Sequence, residues 1–513
     1  MNSNILYDGE NDNLYVLIYR LGKGACATVW FAVEFAKFMS SIKNRKLNVL
    51  YKALKIHNSG DFDEGMLETK INELLPKTEQ DSIYINYPVS HFIHDDNIVI
   101  VVYEVAIGSL YDISKMYDKN LPSEFVNKII FQMSRSIQFL HKNNYIHTDI
   151  KPENFLLVGI SKYQHDIVQF VKKYDLFSKF KLTKKKTINV KNMIEIIHDP
   201  IYQMLNDLSV EFDIFDGLVQ SDENSDDDNE NDSDDDNDNE ENENEENEDE
   251  ENEDNEENEE ENSEDDNENE EENKDESVKS QTEETVYESD ISSKADTDLS
   301  SYDSNKKEYF YKYDRFNIDK ISKIKNREDF STEKENSLIK NKIEENKKFI
   351  RIYIENPKIL LTDFGLLQKK NTVTRTVQTR YYRSPEIVLG LKYDEMIDLW
   401  ALGCSLYELL TGTIMINVVK SEYSLKYDKD LINIKLLIEK IENVGYENIK
   451  NMCDLSTRKE YIFNDDYTLK YFKDLTYDNW KNNQVMSKSD IKIINFIDNL
   501  LKINPKHRLI TIN

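Results

Sequence analysis

Residues 147–154 read His-Thr-Asp-Ile-Lys-Pro-Glu-Asn, and this octapeptide decides how the rest of the chain is interpreted. It places a carboxylate (Asp149), an ammonium (Lys151) and an amide (Asn154) in one short stretch. Transfer of a phosphoryl group to a hydroxyl needs a base that orients the hydroxyl, a cation beside the phosphate and an oxygen ligand for Mg²⁺. The octapeptide therefore predicts a phosphoryl-transfer loop with these residues in those three roles. His147 is expected to pack and hydrogen-bond structurally.

A second metal-binding position lies downstream, in Leu361-Thr-Asp-Phe-Gly-Leu-Leu367. Asp363 is expected to chelate a Mg²⁺ ion that bridges the terminal phosphates of a nucleotide, and Gly365 permits the turn that follows. An Asp-Phe-Gly triplet is common by chance. Its weight here comes from its place behind a predicted strand and after the octapeptide.

A glycine-rich turn lies between two predicted strands, in Leu21-Gly-Lys-Gly-Ala-Cys-Ala-Thr-Val-Trp30. Gly22 and Gly24 lack a Cβ atom, so the backbone there can approach phosphate oxygens closely. Taken alone, the pattern fits a plain turn about as well, and Ala27 stands where a third glycine often occurs. The positions expected to contact the nucleotide are Leu21, Gly22, Lys23, Gly24 and Val29.

The next predicted strand carries a lysine among apolar residues, at 53–56 (Ala-Leu-Lys-Ile). We expect Ala53 to line the nucleotide site and the ammonium of Lys55 to pair with the α- and β-phosphates, although a surface lysine on an alternating strand is the plain alternative. Such a lysine needs a carboxylate partner on the following helix, where Glu68 and Glu73 are the candidates. Glu73 lies close to a proline that must end the helix, so Glu68 is the preferred partner.

A hinge is predicted at Tyr103-Glu-Val-Ala106, where the last strand of this region ends. The backbone groups of Glu104 and Ala106 are expected to pair with an adenine edge. Because backbone contacts leave little trace in a sequence, this prediction rests on position alone.

Two motifs near the C-terminus complete the predicted site, Gln378-Thr-Arg-Tyr-Tyr-Arg-Ser-Pro-Glu386 and Asn504-Pro-Lys-His-Arg508. Glu386 and Arg508 are expected to form a buried ion pair that braces the segment beside the acceptor substrate. Thr379 is expected to lie beside the aspartate and lysine of the octapeptide, an arrangement typical of sites that act on serine or threonine hydroxyls.

Hydrophobic periodicity divides the chain into a β-rich region and a helical region. Strands are predicted within 14–36, 47–57 and 90–105, a helix near 62–75, and further helices at 122–140, 396–410, 431–443 and 488–502. The sequence therefore predicts an α+β, two-lobed architecture. Its expected parts are an N-terminal lobe (14–105), the first part of a C-terminal lobe (106–164), an insertion (165–345) with one or two short helices at its start, and the second part of the C-terminal lobe (346–513).

The insertion contains an acidic run that accounts for nearly all of the chain's charge. Residues 221–280 hold 36 Asp and Glu but only two Lys, so they carry −34 of the total charge of −35. A segment with so few apolar residues cannot bury enough surface to offset chain entropy, and we expect 221–297 to be disordered. The plain interpretation is a solvated linker. The alternative is a phosphorylatable segment or one that binds basic proteins.

Cysteine usage and hydropathy indicate the compartment. The three cysteines have no paired spacing, which favours a reducing environment. The N-terminus lacks a basic start followed by an apolar run, and the longest apolar run, 97–110, is too short to span a bilayer. We therefore expect an intracellular, cytoplasmic protein without membrane attachment, with the nucleus or a virion as alternative locations.

Together these motifs resemble the eukaryotic protein kinases over about 14–160 and 350–513. The resemblance implies a bilobal kinase fold with a β-rich N-lobe and a helical C-lobe, split by the insertion, with ATP and Mg²⁺ as cofactors. Thr148, the Thr-Val-Trp end of the glycine-rich loop, the Gln-Thr-Arg-x-Tyr-Arg-Ser stretch and the long spacer resemble the SR-protein kinases of the CMGC group. That closer resemblance implies a monomeric serine/threonine kinase for basic or Arg/Ser-rich proteins, without direct nucleic-acid binding. The abundance of Asn, Lys, Ile and Tyr indicates an A+T-rich genome, such as that of a large DNA virus or a protist.

Thr148 also has a mechanistic consequence. Most kinases carry an arginine at this position, which binds a phosphate on the activation segment, and threonine has no charge with which to do so. We therefore expect activity without activation-segment phosphorylation. A competing hypothesis is a pseudokinase or scaffold that binds basic proteins through the acidic run. The presence of Lys55, Asp149, Asn154 and Asp363 favours the active enzyme.

Overall fold

The structure is a computed structural model that describes most of the chain outside the acidic run. The described residues are 4–44, 46–95, 97–180, 190–220, 332–371, 377–417, 429–441, 450–452, 455–456, 458–466, 468–470 and 488–510. The segment predicted to be disordered, 221–297, lies outside these residues. Within the described part of the chain, no helix combines the length and the apolarity needed to cross a bilayer.

The N-terminal lobe is built on an antiparallel sheet of six strands. The order across the sheet is β1-β2-β3-β4-β6-β5. The strands are β1 (Ile5–Asp8), β2 (Asn13–Lys23), β3 (Ala27–Ala36), β4 (Asn48–His57), β5 (Ser90–His94) and β6 (Ile98–Tyr103). Alternating apolar residues bury both faces, as expected for strands of this composition. Strand β1 precedes residue 14, where the lobe was expected to begin.

Short helices connect the strands of this lobe. They are α1 (Phe38–Lys43), α2 (Phe62–Thr69) and α3 (Ile71–Leu74). The single helix predicted near 62–75 is thus divided at Lys70, and Glu68 lies in the last turn of α2 while Glu73 is exposed on α3. The division leaves Glu68 fully buried against the sheet.

The C-terminal lobe is helical. The helices are α4 (Leu110–Lys115), α5 (Ser123–Lys142), α10 (Pro385–Val388), α11 (Met396–Thr411), α12 (Lys429–Ile441), α13 (Lys459–Ile462) and α14 (Lys488–Leu500). The apolar core of the lobe is built on its two longest helices, α5 and α11. The residues that predicted α5 by their helical spacing are all buried: Phe125, Ile129, Met133, Ile137 and Leu140. The lobe therefore forms around the apolar stripe that the sequence shows.

Two small sheets hold the catalytic segments against this lobe. Strands β7 (Ala106–Ser109), β9 (Phe155–Val158) and β10 (Ile359–Leu361) form one sheet in the order β10-β9-β7. Strand β8 (Tyr145–Ile146) pairs with β11 (Gln368–Lys369). These pairings bring the octapeptide, which lies between β8 and β9, next to the Asp363 loop between β10 and β11.

The two ends of the insertion are folded, the first against the N-terminal lobe and the second against the core of the C-terminal lobe. Helices α6 (Lys162–Lys173), α7 (Leu176–Lys179) and α8 (Val190–Gln220) share an apolar cluster with β1, β2 and β3. The expected boundary at residue 165 falls inside α6, and α8 is much longer than the short helices expected there. On the far side of the insertion, α9 (Thr332–Glu355) extends ten residues past the expected boundary at residue 345. Apolar residues at helical spacing explain both, because α8 covers the N-terminal sheet and α9 covers the core of the C-terminal lobe.

Helix α6 is fixed at its start by local hydrogen bonds. The hydroxyl of Ser161 accepts a hydrogen bond from the Gln164 backbone amide, and the Ser161 backbone amide donates one to Gln164 Oε1. The Gln164 side chain also donates to the carbonyl of Ala106 at 3.0 Å. The ring of Tyr163 packs on Tyr19 of β2, with 5.0 Å between ring centroids. This helix therefore touches both the sheet and the hinge.

Substitutions on α8 test whether the insertion's first helices stabilise the N-terminal lobe. Ile201 is fully buried and Val210 is 80% exposed on the same helix. Ile201→Ala should lower the free energy of unfolding by about 2–5 kcal/mol, because it leaves a cavity beneath the sheet. Val210→Ala should change it by less than about 0.5 kcal/mol. Urea unfolding followed by tryptophan fluorescence measures both, and equal effects of the two variants would contradict the packing.

Candidate active site

A buried carboxylate, Glu68, joins strand, helix and loop at the back of the cleft. Its Oε1 accepts a hydrogen bond from Lys55 Nζ at 2.8 Å and from the backbone amide of Phe364 at 3.2 Å. Glu68 is fully buried on α2, and Lys55 lies on β4. The structure therefore pairs Lys55 with Glu68 and leaves Glu73 exposed on the neighbouring helix.

The same lysine also holds Asp363. Lys55 Nζ lies 2.7 Å from Asp363 Oδ1. Desolvation in the cleft opposes ionisation of Asp363, but the Lys55 ammonium outweighs it and lowers the pKa of the carboxyl to about 2. Burial likewise opposes the charge on Lys55, and the carboxylates of Glu68 and Asp363 outweigh it, so the pKa of Lys55 is raised. At neutral pH the site holds one ammonium between two carboxylates.

The catalytic loop brings four predicted residues into one hydrogen-bonded group. Thr379 Oγ1 donates to Asp149 Oδ1 at 2.7 Å, and Lys151 Nζ lies 2.8 Å from Asp149 Oδ2 and 3.0 Å from Thr379 Oγ1. The side-chain amide of Asn154 donates to the Asp149 carbonyl at 2.8 Å. Burial lowers the pKa of Lys151, but the adjacent Asp149 carboxylate outweighs burial and the net shift is upward. The octapeptide residues and Thr379 are thus in contact, as the motifs predicted.

A fully buried aspartate on α11, Asp398, binds the backbone of this loop. Its carboxylate accepts hydrogen bonds from the backbone amides of His147 at 2.9 Å and Thr148 at 3.0 Å, and it contacts His141 Nε2 at 2.9 Å. Thr148 has φ = 70°, a conformation that non-glycine residues adopt rarely. The bonds to Asp398 hold the backbone in that conformation.

The side chains of the loop are also held. His147 is fully buried, its Nε2–H donates to the Thr362 carbonyl at 3.0 Å, and its Nδ1 accepts from the Asp149 amide at 3.3 Å. Thr148 Oγ1 donates to the Leu366 carbonyl at 2.8 Å. Thr148 therefore binds the backbone that follows Asp363 directly.

The glycine-rich turn is the hairpin between β2 and β3. Gly22 pairs with Val29 and Lys23 with Thr28, and the Gly24 amide donates to the Ala27 carbonyl at 2.9 Å. A Cβ atom added at Gly22 would meet no atom within 4 Å, so the hairpin leaves space at this point. Leu21 is half-buried at the end of β2, against the apolar cluster of the lobe.

The predicted hinge follows β6. Ala53 pairs with Tyr103 between β4 and β6, which places Ala53 at the roof of the cleft beside the hinge. The exposed side chain of Glu104 forms an ion pair with Lys52. The carbonyl of Ala106 accepts the hydrogen bond from Gln164, near the start of α6. The hinge backbone is thus bound on one side by a helix whose greater part the sequence assigned to the insertion.

The ion pair predicted to brace the C-terminal lobe is present. Arg508 Nη2 lies 2.7 Å from Glu386 Oε2, and its Nη1 donates to the Met396 carbonyl at 3.0 Å. Arg508 and Glu386 are both buried. A buried pair of this kind is structural, because each charge has its partner.

Three residues near the site were not singled out from the sequence. Glu153 lies inside the octapeptide, Glu408 on α11, and His57 at the end of β4. Burial raises the pKa of Glu153 to about 7, although a backbone hydrogen bond and the Lys151 ammonium oppose the rise; the Glu408 and Asp149 carboxylates add smaller upward contributions. The one signal for Glu153 in the sequence was its acidic side chain within the octapeptide. Nothing in the sequence relates Glu153 to Glu408.

The Glu153 carboxylate is not fully paired. Among the described residues, its Oε2 is buried without a hydrogen-bond partner. Burial also raises the pKa of Glu408, whose Oε2 accepts a hydrogen bond from the Tyr382 hydroxyl at 2.6 Å. Two carboxylates whose charges oppose each other, one with an unpaired oxygen, form a site that a cation would stabilise.

The donor set beside the catalytic loop fits a hard divalent cation. The amide nitrogen of Asn154 is bound to Asp149, which leaves its oxygen as the atom that can ligate a metal. Lys55 keeps the carboxylate of Asp363 ionised. Carboxylate and amide oxygens are ligands that Mg²⁺ accepts, with waters and phosphate oxygens in the remaining positions.

Comparison with known proteins gives a family match in two blocks. The profile of the protein kinase domain matches residues 15–190 and 326–512. The chain is 27% identical over 463 residues to serine/threonine-protein kinase L205 of Acanthamoeba polyphaga mimivirus, which covers 88% of this chain and 75% of that protein.

Shorter alignments join two further relatives. The chain is 36% identical over 102 residues to serine/threonine-protein kinase SRPK of Physarum polycephalum, which covers 20% of this chain and 22% of that relative. It is 29% identical over 185 residues to serine/threonine-protein kinase ppk15 of Schizosaccharomyces pombe, which covers 30% of this chain and 34% of that relative.

Proposed function

Because the chain belongs to the protein kinase family and is a serine/threonine protein kinase, we propose that it transfers the γ-phosphoryl group of Mg-ATP through the residues of this cleft. The observation that carries the proposal is the Lys55 ammonium held between Glu68 and Asp363. A lysine fixed in this way presents its charge inside the cleft, where phosphate oxygens require it.

The nucleotide would bind between the sheet and the hinge. The adenine edge pairs with the backbone at Glu104 and Ala106, and Leu21, Val29 and Ala53 cover it from the sheet. The glycine-rich hairpin at 22–24 closes over the phosphates. Asp363 and Asn154 would hold Mg²⁺, which would supply positive charge to offset that of the phosphates.

Asp149 and Lys151 would act on the acceptor and the transferred group. Asp149 accepts the proton of the substrate hydroxyl and orients its oxygen, a contribution of about 10²- to 10⁴-fold in rate for a positioned base. Lys151 neutralises charge on the γ-phosphate. The Thr379 hydroxyl donates a hydrogen bond to Asp149 Oδ1 and so fixes the orientation of the Asp149 carboxylate toward the acceptor.

The competing hypothesis of a pseudokinase is not favoured. A pseudokinase scaffold would not need the ammonium between Glu68 and Asp363, nor the contact of Asp149 with Lys151. The acidic run at 221–280 does not distinguish the two hypotheses, because it lies outside the part of the chain that the structure describes.

Substitution of the base tests the proposed chemistry. Asp149→Asn keeps the shape of the side chain but removes its basicity, so kcat should fall by about 10²- to 10⁴-fold. Asp118→Asn is the matched control, because Asp118 is exposed and asparagine tolerates its positive φ of 53°. Transfer of ³²P from ATP to a serine peptide measures both. Asp149→Asn activity within tenfold of the unchanged protein would overturn the role of Asp149.

We further propose that the enzyme is active without phosphorylation of its activation segment. Thr148 replaces the charge that would bind a phosphate, and its hydroxyl instead binds the Leu366 carbonyl directly. The threonines at 372, 374 and 376 lie outside the described residues, and they are the nearest candidates for such a modification.

Removal of phosphate tests this proposal. After phosphatase treatment, and in the variant with alanine at Thr372, Thr374 and Thr376, kcat should stay within about twofold of the unchanged protein, since no cationic clamp is lost. Mass spectrometry should verify that the treated protein carries no phosphate there. A tenfold loss that accompanies dephosphorylation would contradict the proposal.

The substrate is proposed to be basic, as the resemblance to the SR-protein kinases implies. The support is the pair of carboxylates Glu153 and Glu408 beside the catalytic loop, one of which has an unpaired oxygen. A guanidinium with its five donors could pair with both. The acidic run would attract the same substrates over longer range, and this attraction would weaken as salt is added. The proposed setting is a reducing intracellular compartment, consistent with the free thiols of Cys26 and Cys404.

The pKa of Glu153 predicts how the preference for a basic substrate changes with pH. Its pKa of about 7 means that the carboxyl is neutral below and ionised above that value. Preference for an arginine peptide over its alanine counterpart should therefore be about tenfold in kcat/KM at pH 8 and should shrink as the pH falls to 6, because the charge-assisted bond is lost.

Two variants make the pH test specific. Glu153→Gln should give a small preference that does not change with pH, while Glu124→Gln, at a position with an 84% exposed side chain, should behave as the unchanged protein. Steady-state kinetics at constant ionic strength measures the ratio. A ratio that stays constant from pH 6 to 8 in the unchanged protein would contradict this assignment of Glu153.

A further inference from the structure

A buried histidine stands behind the lysine–glutamate pair. His57 is the last residue of β4, two positions after Lys55, so both side chains leave the strand on the same face. The His57 ring is 2% exposed, and its Nε2 lies 3.0 Å from Glu68 Oε2. The carboxylate of Glu68 thus has a partner at each oxygen, Lys55 at Oε1 and His57 at Oε2.

The histidine fits because the facing helix has a glycine. Gly65 precedes Glu68 by three residues on α2, so both point at the sheet. A Cβ atom at Gly65 would lie 2.8 Å from the Val99 Cβ and 3.0 Å from the His57 Cγ. Only glycine lets the helix approach closely enough for the imidazole to reach the carboxylate.

The direction of the hydrogen bond follows from the groups involved. A carboxylate only accepts, so His57 Nε2 carries the hydrogen and donates it to Glu68. Among the described residues, the other ring nitrogen, Nδ1, is buried without a hydrogen-bond partner. The polar interaction of His57 therefore runs to Glu68 alone.

We propose that His57 is a positioning residue for phosphoryl transfer, which fixes the Glu68 carboxylate so that Lys55 is aimed at the nucleotide phosphates. This inference rests on the proposed ATP-binding role of Lys55. His57 occupies Oε2, which leaves Oε1 to face Lys55 and the Phe364 amide. Rotation of the carboxylate would break all three bonds, so the histidine couples the end of β4 to α2 and to the Asp363 loop.

Loss of the hydrogen bond that His57 donates should lower kcat/KM for ATP specifically. Without a donor at Oε2, the buried carboxylate would turn toward Lys55 with both oxygens or leave one oxygen unpaired. Either change alters the direction of the ammonium. The effect should appear in the kinetics with respect to ATP, since the contacts of Glu68 do not include the acceptor loop.

A pair of variants of equal length separates the hydrogen bond from packing. Glutamine keeps a donor near the position of Nε2, and methionine fills similar space without one. His57→Met should lower kcat/KM for ATP by about tenfold, with KM for the peptide within twofold of the unchanged protein. His57→Gln should stay within threefold. His91→Met, on the exposed face of β5, is the control and should have no effect beyond twofold.

A double-mutant cycle tests whether His57 acts through Glu68. In a Glu68→Ala background, His57→Met should change kcat/KM for ATP by less than twofold, because the acceptor is already gone. An undiminished tenfold loss there would overturn the inference, as would equal losses in His57→Met and His57→Gln. If neither His57 variant gave folded protein, Gly65→Ala would replace them. It displaces the ring, and a fall in kcat/KM for ATP of less than twofold would overturn the inference.

A failure of the positioning role of His57 can be distinguished from a failure of the proposed function. Lys55→Met should abolish measurable transfer if Lys55 binds the phosphates. Transfer that survives Lys55→Met refutes the proposed role of Lys55. Loss of transfer in Lys55→Met together with an unaffected His57→Met refutes the positioning role of His57 alone.

Discussion

The arrangement of the cleft depends on the ammonium of Lys55, which is held between the carboxylates of Glu68 and Asp363. It joins β4, α2 and the loop after β10, and Lys55 and Asp363 are 308 positions apart in the chain. A buried charge with one partner removed is strongly destabilising, so the three groups stabilise one another's positions. The backbone amide of Phe364 binds the same glutamate, which fixes the start of the Asp363 loop.

The catalytic loop depends on a second buried acid in the other lobe. Asp398 accepts hydrogen bonds from the backbone amides of His147 and of Thr148, the strained position, and the Asp149 side chain of the same loop meets Thr379. Strain at such a position persists only where the surroundings determine it fully. Thr148 itself bonds to the backbone after Asp363, and this connects the two segments that we propose to ligate Mg²⁺.

The insertion is part of the folded protein at both of its ends. Its first helices pack on the face of the N-terminal sheet that carries Ala53, and Gln164, near the start of α6, binds the hinge carbonyl of Ala106. The amide of Lys162 donates to Asn346 of α9 at 3.0 Å, so the first and last helices of this region are in contact. A long segment with a large negative charge can therefore be attached here without disturbing the catalytic elements.

The sequence alone determined the motifs, because each depends on residue types at fixed spacing: the octapeptide, the Asp-Phe-Gly triplet, the glycine-rich turn and the helical stripe of α5. It also favoured Glu68 over Glu73, since a proline limits where the helix can end. The sequence could not show His57 as a partner of Glu68, because one histidine at the end of a strand looks like any other until Gly65 brings the helix close. The repulsion between the Glu153 and Glu408 carboxylates, and the packing of α8 on the sheet, were likewise decided by the tertiary structure. Such contacts join positions far apart in the chain, and only packing determines which of the many candidates meet.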